Sequence, residues 1–245
     1  MNIKKSIAII FAIIGLASCQ KDSLDNQDVL NANLQTSLQK KYDFKGQKLT
    51  AGQIHNSILS EVINQTENTR NGNISQDCST VLNYLENSYN VQFQETNLSF
   101  NSQLNYFNNN SNYSQSFNGL VNNMASDLEF ATTYDDIQEI ISDYNSKLNK
   151  QNLSDFEYDQ FMNSLSVLKE SSEFWYNGEG AILINNSQNR NDYDCGAVIA
   201  GGDWVGAVAG AATGGPGFVI SGLVGAAAGS AYSWLTTDDC WENQE

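Results

Sequence analysis

Near the C-terminal end of this 245-residue chain small residues recur every four positions, and that spacing constrains the fold more than any other feature. Gly202, Gly206, Gly210 and Gly214 make one series; Gly217, Ser221, Gly225, Gly229 and Ser233 make a second, with Pro216, the only proline, between them. Residues four apart lie one above the other on a helix, so each series is a stripe along which another backbone can approach closely. Glycine in a helix interior costs about 1 kcal/mol relative to alanine, and this many in phase require a compensating contact. The break at "GGPG", Gly214 to Gly217, is a helix stop followed by a proline, so the two arms are expected to fold back as an antiparallel hairpin, stripe against stripe. Of the 18 glycines, 11 lie between Gly196 and Gly229, which places the density in this device and not in the composition at large.

The surroundings of the hairpin are the next question. From Gly201 to Trp234 the only charged residue is Asp203. As a helix, the 18 uncharged residues from Phe218 to Leu235 reach about 27 Å, near the lower limit for crossing a bilayer. Asp203 costs the first arm roughly 3 kcal/mol at a bilayer centre. With Asp203 as an N-cap, that arm would run only from Trp204 to Thr213, about 15 Å, which is too short to cross. The balance favours a hairpin packed on itself and on the rest of the protein, with membrane association or oligomerisation as a conditional second state.

Upstream, apolar residues follow a helical period. Ile54, Ile58, Leu59, Val62 and Ile63 share a face, and Val81, Leu82, Leu85 and Tyr89 form a second run after a polar "NTRNGN" break. From about Thr96 to Tyr113 asparagine and serine dominate, and the period sets no boundaries. Phe117, Leu120, Val121, Met124 and Leu128 suit a half-buried helix. In "TTYDDIQEIISDYNSKLN" Thr133 is placed to cap, Asp135 and Asp136 fall in the positive first turn, and Ile137, Ile140, Ile141, Tyr144 and Leu148 form the buried stripe. "SDFE", Ser154 to Glu157, matches a capping box opening a helix to about Phe174. No segment alternates long enough to make a strand. The expected class is all-α, a helical bundle followed by a Gly-rich helix-turn-helix hairpin.

The opening "MNIKKSIAIIFAIIGLASC" has two lysines, an apolar run from Ile7 to Ala17 and small residues before Cys19. It reads as a secretory signal, too short for a spanning helix. "LASC" resembles the lipobox of bacterial lipoproteins, which implies cleavage before Cys19 and a diacylglycerol on its thiol, with palmitate as a further acyl group. "QKDSLDNQD" after it is similar to the Lys-plus-acidic signal of surface lipoproteins of Bacteroidota, and "DSL" resembles the O-glycosylation sequon of that phylum. The resemblance implies an outer-membrane lipoprotein on the cell surface, with the membrane as partner through Cys19. The expected organisation is a signal peptide over 1–18, a polar tether over 19–48, an α-helical domain over 49–178, a linker over 179–194 and the hairpin over 195–240.

Removing residues 1–18 takes away Lys4 and Lys5 and no acid, so the formal charge moves from −16 to −18. Such a surface repels phosphate backbones, and no nucleic-acid partner is expected. Cys78, Cys195 and Cys240 then remain in an oxidising compartment. Cys195 and Cys240 bracket the glycine-rich arms, whose ends an antiparallel hairpin brings together, so these two are expected to be bonded and Cys78 left over. Closing that loop is worth roughly 4 kcal/mol on the chain-entropy model.

Catalytic chemistry has little to work with. His55, the only histidine, is expected to be a solvated or core residue. No nucleophile elbow, phosphate loop or His/Cys metal spacing is present, so neither enzyme activity, cofactor nor metal is expected. Asp135 and Asp136 read as helix-dipole partners. Phe174, Trp175 and Tyr176 read as a hydrophobic lid where the last bundle helix meets the hairpin, with a carbohydrate platform as the alternative. The glycine-rich segment resembles the glycine-zipper two-helix domain of outer-membrane lipoproteins and, more distantly, class II bacteriocins. The resemblance implies a non-enzymatic envelope lipoprotein whose hairpin mediates helix packing, oligomerisation or membrane association. A purely structural surface lipoprotein and a bacteriocin-like permeabilising protein are the alternatives.

Overall fold

Each helix begins where a cap or a polar break allows it. The computed structural model describes residues 49–69, 73–89, 91, 93, 98–148, 152–181, 192–214 and 218–236, and for 192–194, 211–214 and 218–221 the backbone alone. The expected signal peptide, the tether with Cys19, most of the linker, the turn at Gly215 to Gly217 and Cys240 lie outside the described residues. The described chain is all-α, with no strand.

Helix α1 spans Ala51–Thr69 and α2 Ile74–Tyr89. The stretch whose boundaries the period left open contains α3, Phe100–Asn110, with Ser99 as N-cap. Ser114 caps α4, Gln115–Leu128. Thr133 opens α5, Tyr134–Leu148, through a bond from the Asp136 N–H to its Oγ1 at 3.1 Å. Ser154 and Glu157 form the expected capping box of α6, which runs Asp155–Asn177, a turn beyond Phe174. The hairpin arms are α7, Asp192–Gly214, and α8, Phe218–Thr236.

The arms are apolar on all sides, which suits helices at the centre of a bundle. The two lie along each other, with α6, α3, α4 and α5 against α7, and α1 and α2 against α8. Ile58, Leu59, Val62, Val81, Leu85 and Tyr89 join Val224, Ala227 and Ala231 of α8 in one apolar cluster. Phe107, Phe117, Met124, Ile137, Tyr144 and Phe161 join Trp204, Val205 and Val208 of α7 in the other. The hairpin is therefore a wall shared by two cores. Asp203 does not cap the first arm: α7 begins at Asp192, and Asp203 lies in its interior, fully buried.

Candidate functional site

The zipper stripes face each other inside the hairpin. A Cβ added at Gly206 would lie 2.6 Å from the Gly225 carbonyl oxygen, and one at Gly225 would lie 2.9 Å from the Gly206 oxygen and 3.6 Å from Gly210 Cα. At Gly229 it would meet the Gly202 oxygen at 2.8 Å, and at Gly202 the Ser233 Oγ at 2.7 Å. Backbone thus touches backbone, which only glycine permits. Gln103 of α3 closes the groove: its Oε1 would be 2.9 Å from a Gly206 Cβ and its Nε2 2.9 Å from a Gly229 Cβ. The Gln103 Nε2 donates to the Leu98 carbonyl at 2.7 Å, so the wedge is itself tied down. Of the remaining zipper positions, Gly217 lies outside the described residues, and only the backbone of Gly214 and Ser221 is described.

One helical turn away is a polar cluster without solvent. Asp203 of α7 and His55 of α1 are both 0% exposed, with His55 Nε2 3.6 Å from Asp203 Oδ2. The Ser171 hydroxyl of α6 donates to Asp203 Oδ2. Beside them Trp175 Nε1 donates to Ser230 Oγ of α8 at 3.0 Å. The register of α1 on α6 produces this meeting. Gly52 N donates to Ser166 Oγ at 3.2 Å and Asn56 Nδ2 to the Glu170 carbonyl at 2.9 Å, and Gly52 sits too close to the Ser166 carbonyl to carry a side chain.

Burial governs the charges of the pair. Desolvation holds the Asp203 carboxyl well above the usual carboxylate range, outweighing hydrogen bonds from Ser171, Ser230 and Trp175 that favour its charge. Desolvation lowers His55 to about 4, against a smaller opposite effect from Asn56, whose Oδ1 is 2.9 Å from His55 Nδ1. Both groups are thus pushed towards their neutral forms. Serine, aspartate and histidine here do not make a nucleophile. Ser171 is bonded to the acid and not to the imidazole, and no member of the cluster reaches solvent.

The other predicted positions are elsewhere. Cys78 is a free, buried thiol, pushed up to about 11 by burial and by Asp77. Cys195 is buried and disulfide-bonded; with Cys240 outside the described residues, its pairing to Cys240 stands as a proposal. Phe174 and Trp175 pack edge to face at 5.2 Å where α6 meets the hairpin, and Tyr176 lies against Gly196. Asp136 accepts from the Thr132 and Thr133 N–H groups at 3.0 and 2.9 Å. The sequence reading missed the His55–Asp203 meeting and Gln103. One charged residue inside an uncharged hairpin, in a chain with a single histidine, was the available signal for the first; nothing marked Gln103.

Among the described residues no group of three or more His, Cys, Asp or Glu is placed to hold a metal, and no helix is long and apolar enough to cross a membrane. No family model, curated protein or solved structure matches the chain.

Proposed function

We propose that this is a non-enzymatic, lipid-tethered protein of the cell envelope in which the glycine-zipper hairpin mediates helix packing at the heart of its own helical domain. The lipid sits on Cys19, at the surface face of the outer membrane, and a Cys195–Cys240 disulfide closes the hairpin. The carrying observation is the contact of Gly206 with the Gly225 backbone, between two apolar clusters that both include hairpin residues. That contact consumes the stripe within one molecule. Oligomers built on the same stripe would have to displace either the partner arm or Gln103. The strongly acidic chain supports an exposed, soluble domain without a nucleic-acid partner.

Two measurements test the reading. Cells expressing the protein should incorporate an alkyne-palmitate label that C19S abolishes; a labelled C19S protein would refute the anchor. Mature C19S protein should be a monomer that stays in the aqueous phase of a detergent partition at neutral pH. A detergent-phase or oligomeric protein under those conditions would refute internal packing as the hairpin's role.

A further inference from the structure

We propose that the lysine-bearing end of the tether, Phe44 to Lys48, docks on the uncovered half of α6, with Phe44 against Phe156 and Lys45 and Lys48 beside Asp155 and Asp159. The folded domain then begins ahead of α1, and the free reach of the tether ends near Phe44. The dock needs no lipid and goes beyond the packing role of the hairpin.

A stripe on α6 sets the place. Phe156, Asp159, Asn163, Ser166 and Glu170 follow one another at steps of three and four, so they share one face of the helix. Helix α1 covers the later part of that face and runs parallel to α6: Gly52 N donates to Ser166 Oγ, Asn56 Nδ2 to the Glu170 carbonyl and Ser60 Oγ to Glu179 Oε2. Ahead of the start of α1 the face is open. Phe156 is 42% exposed, Asp159 is exposed and Asn163 is half-buried, with Asp155 exposed one turn from Asp159. The Phe156 ring stacks on Tyr113 at 6.1 Å, which holds it in place as an apolar seat.

The chain that enters α1 arrives at this open half. Thr50 and Gln53 cap α1 reciprocally, at 3.1 and 3.2 Å. Leu49 packs against the apolar cluster that includes Ile54, a staple that fixes the angle of entry. From Ser166 back to Phe156 is about 15 Å of helix, and extended chain from Phe44 to Leu49 spans about 20 Å. Phe44 therefore reaches Phe156 with slack. Charge selects the same occupant. Lys40, Lys41, Lys45 and Lys48 are four of the 12 Lys and Arg of the chain, whereas the described residues hold only Lys147 and Lys169. Lys147 is paired with Asp143 at 2.6 Å, and Lys169 lies outside the stripe. An exposed Lys–Asp pair is weak, so the contact of Phe44 with Phe156 carries the dock and the lysines set its direction.

The test is trypsin cleavage after Lys45 in mature C19S protein, set against a free peptide of residues 36–52. Docking is expected to slow cleavage by about tenfold relative to the peptide, because the protease acts on the undocked fraction. F156S/D159N, with its helicity checked by circular dichroism, should return the rate to within about twofold of the peptide's. Cleavage of C19S at the peptide's rate overturns the proposal, as does protection that persists in folded F156S/D159N. If that variant is unfolded, carbodiimide coupling of C19S decides. Amide bonds from Lys45 or Lys48 to Asp155 or Asp159 within one molecule support the dock; coupling of those lysines only to other acids, or to none, overturns it. Bonds between isotopically distinct copies place a second molecule on the stripe and also overturn it. Palmitate labelling and detergent partition read the anchor and the hairpin separately, so the packing role stands or falls on its own measurements.

Discussion

Asp203, fully buried in α7 with its Oδ2 3.6 Å from His55 Nε2, carries a pH prediction. Taken alone, His55 is lowered in the fold, so it contributes a loss of stability as pH falls from about 6.5 through about 4. Asp203 is raised, so it contributes stability that is present below its unfolded pKa and lost as pH rises through its folded one. The two contributions have opposite slopes, so in the intact pair each offsets the other. Single variants expose the halves. D203N should lose stability as pH falls from 6.5 to 4, H55Q should lose it as pH rises above 4, and urea midpoints across pH read both. Identical slopes in the two variants would contradict the burial argument. Asp203 was visible in the sequence as the one charge between Gly201 and Trp234, but its burial was not. A helix period has no access to which residue of α1 arrives opposite α7, since that depends on the approach of Gly52 to α6.

At the scale of the element, short-range rules were legible and long-range ones were not. The capping box at Ser154 and Glu157 was written in four residues. Its second bond was not, for Glu157 Oε1 also accepts from the Ser114 N–H at 2.6 Å and ties the starts of α4 and α6 together. Burial alone would raise the Glu157 pKa, but the bonds from Ser114 and Ser154 lower it, so its contribution is present at neutral pH and lost as pH falls through the lowered value. S154A should cost about 1 kcal/mol in urea titrations, and E157Q more, because it weakens two helix starts. The zipper was legible as spacing and as stripe against stripe; the register that sets Gly206 on Gly225 comes from the structure. The glycines give the cleanest contrast. G206A should destabilise by about 1 to 3 kcal/mol, since its methyl would meet the Gly225 carbonyl, a backbone atom that cannot swing aside. G119A, in the exposed face of α4 with nothing within 4 Å of the added methyl, should stabilise by about 0.5 to 1 kcal/mol. Thermal melts of the two variants should move in opposite directions.

At the scale of the molecule, the hairpin determines whether there is one folding unit or two. Each apolar cluster is lined on one side by bundle helices and on the other by hairpin residues: Val224, Ala227 and Ala231 in one, Trp204, Val205 and Val208 in the other. Those hairpin residues are the least informative in the sequence, because alanine, glycine and valine in an uninterrupted run read alike for a membrane hairpin and for the centre of a bundle. What separates the two is the set of large side chains that cover them, Trp175, Phe107, Phe161 and Tyr89, all essentially buried and all drawn from helices distant in sequence. Deleting residues 192 to 245 would leave both clusters open along one face, and the remaining helices would expose apolar stripes with no partner. We expect the truncated chain to lose its cooperative thermal transition and to bind a hydrophobic dye, whereas the intact domain melts in one step. In hydrogen exchange the amides at the centre of α7 and α8 should open only with global unfolding, because no smaller opening uncovers them. A truncated chain that still melts cooperatively, or hairpin amides that exchange ahead of those in α1 and α6 at neutral pH, would show the hairpin to be a separate module laid against a bundle that stands alone.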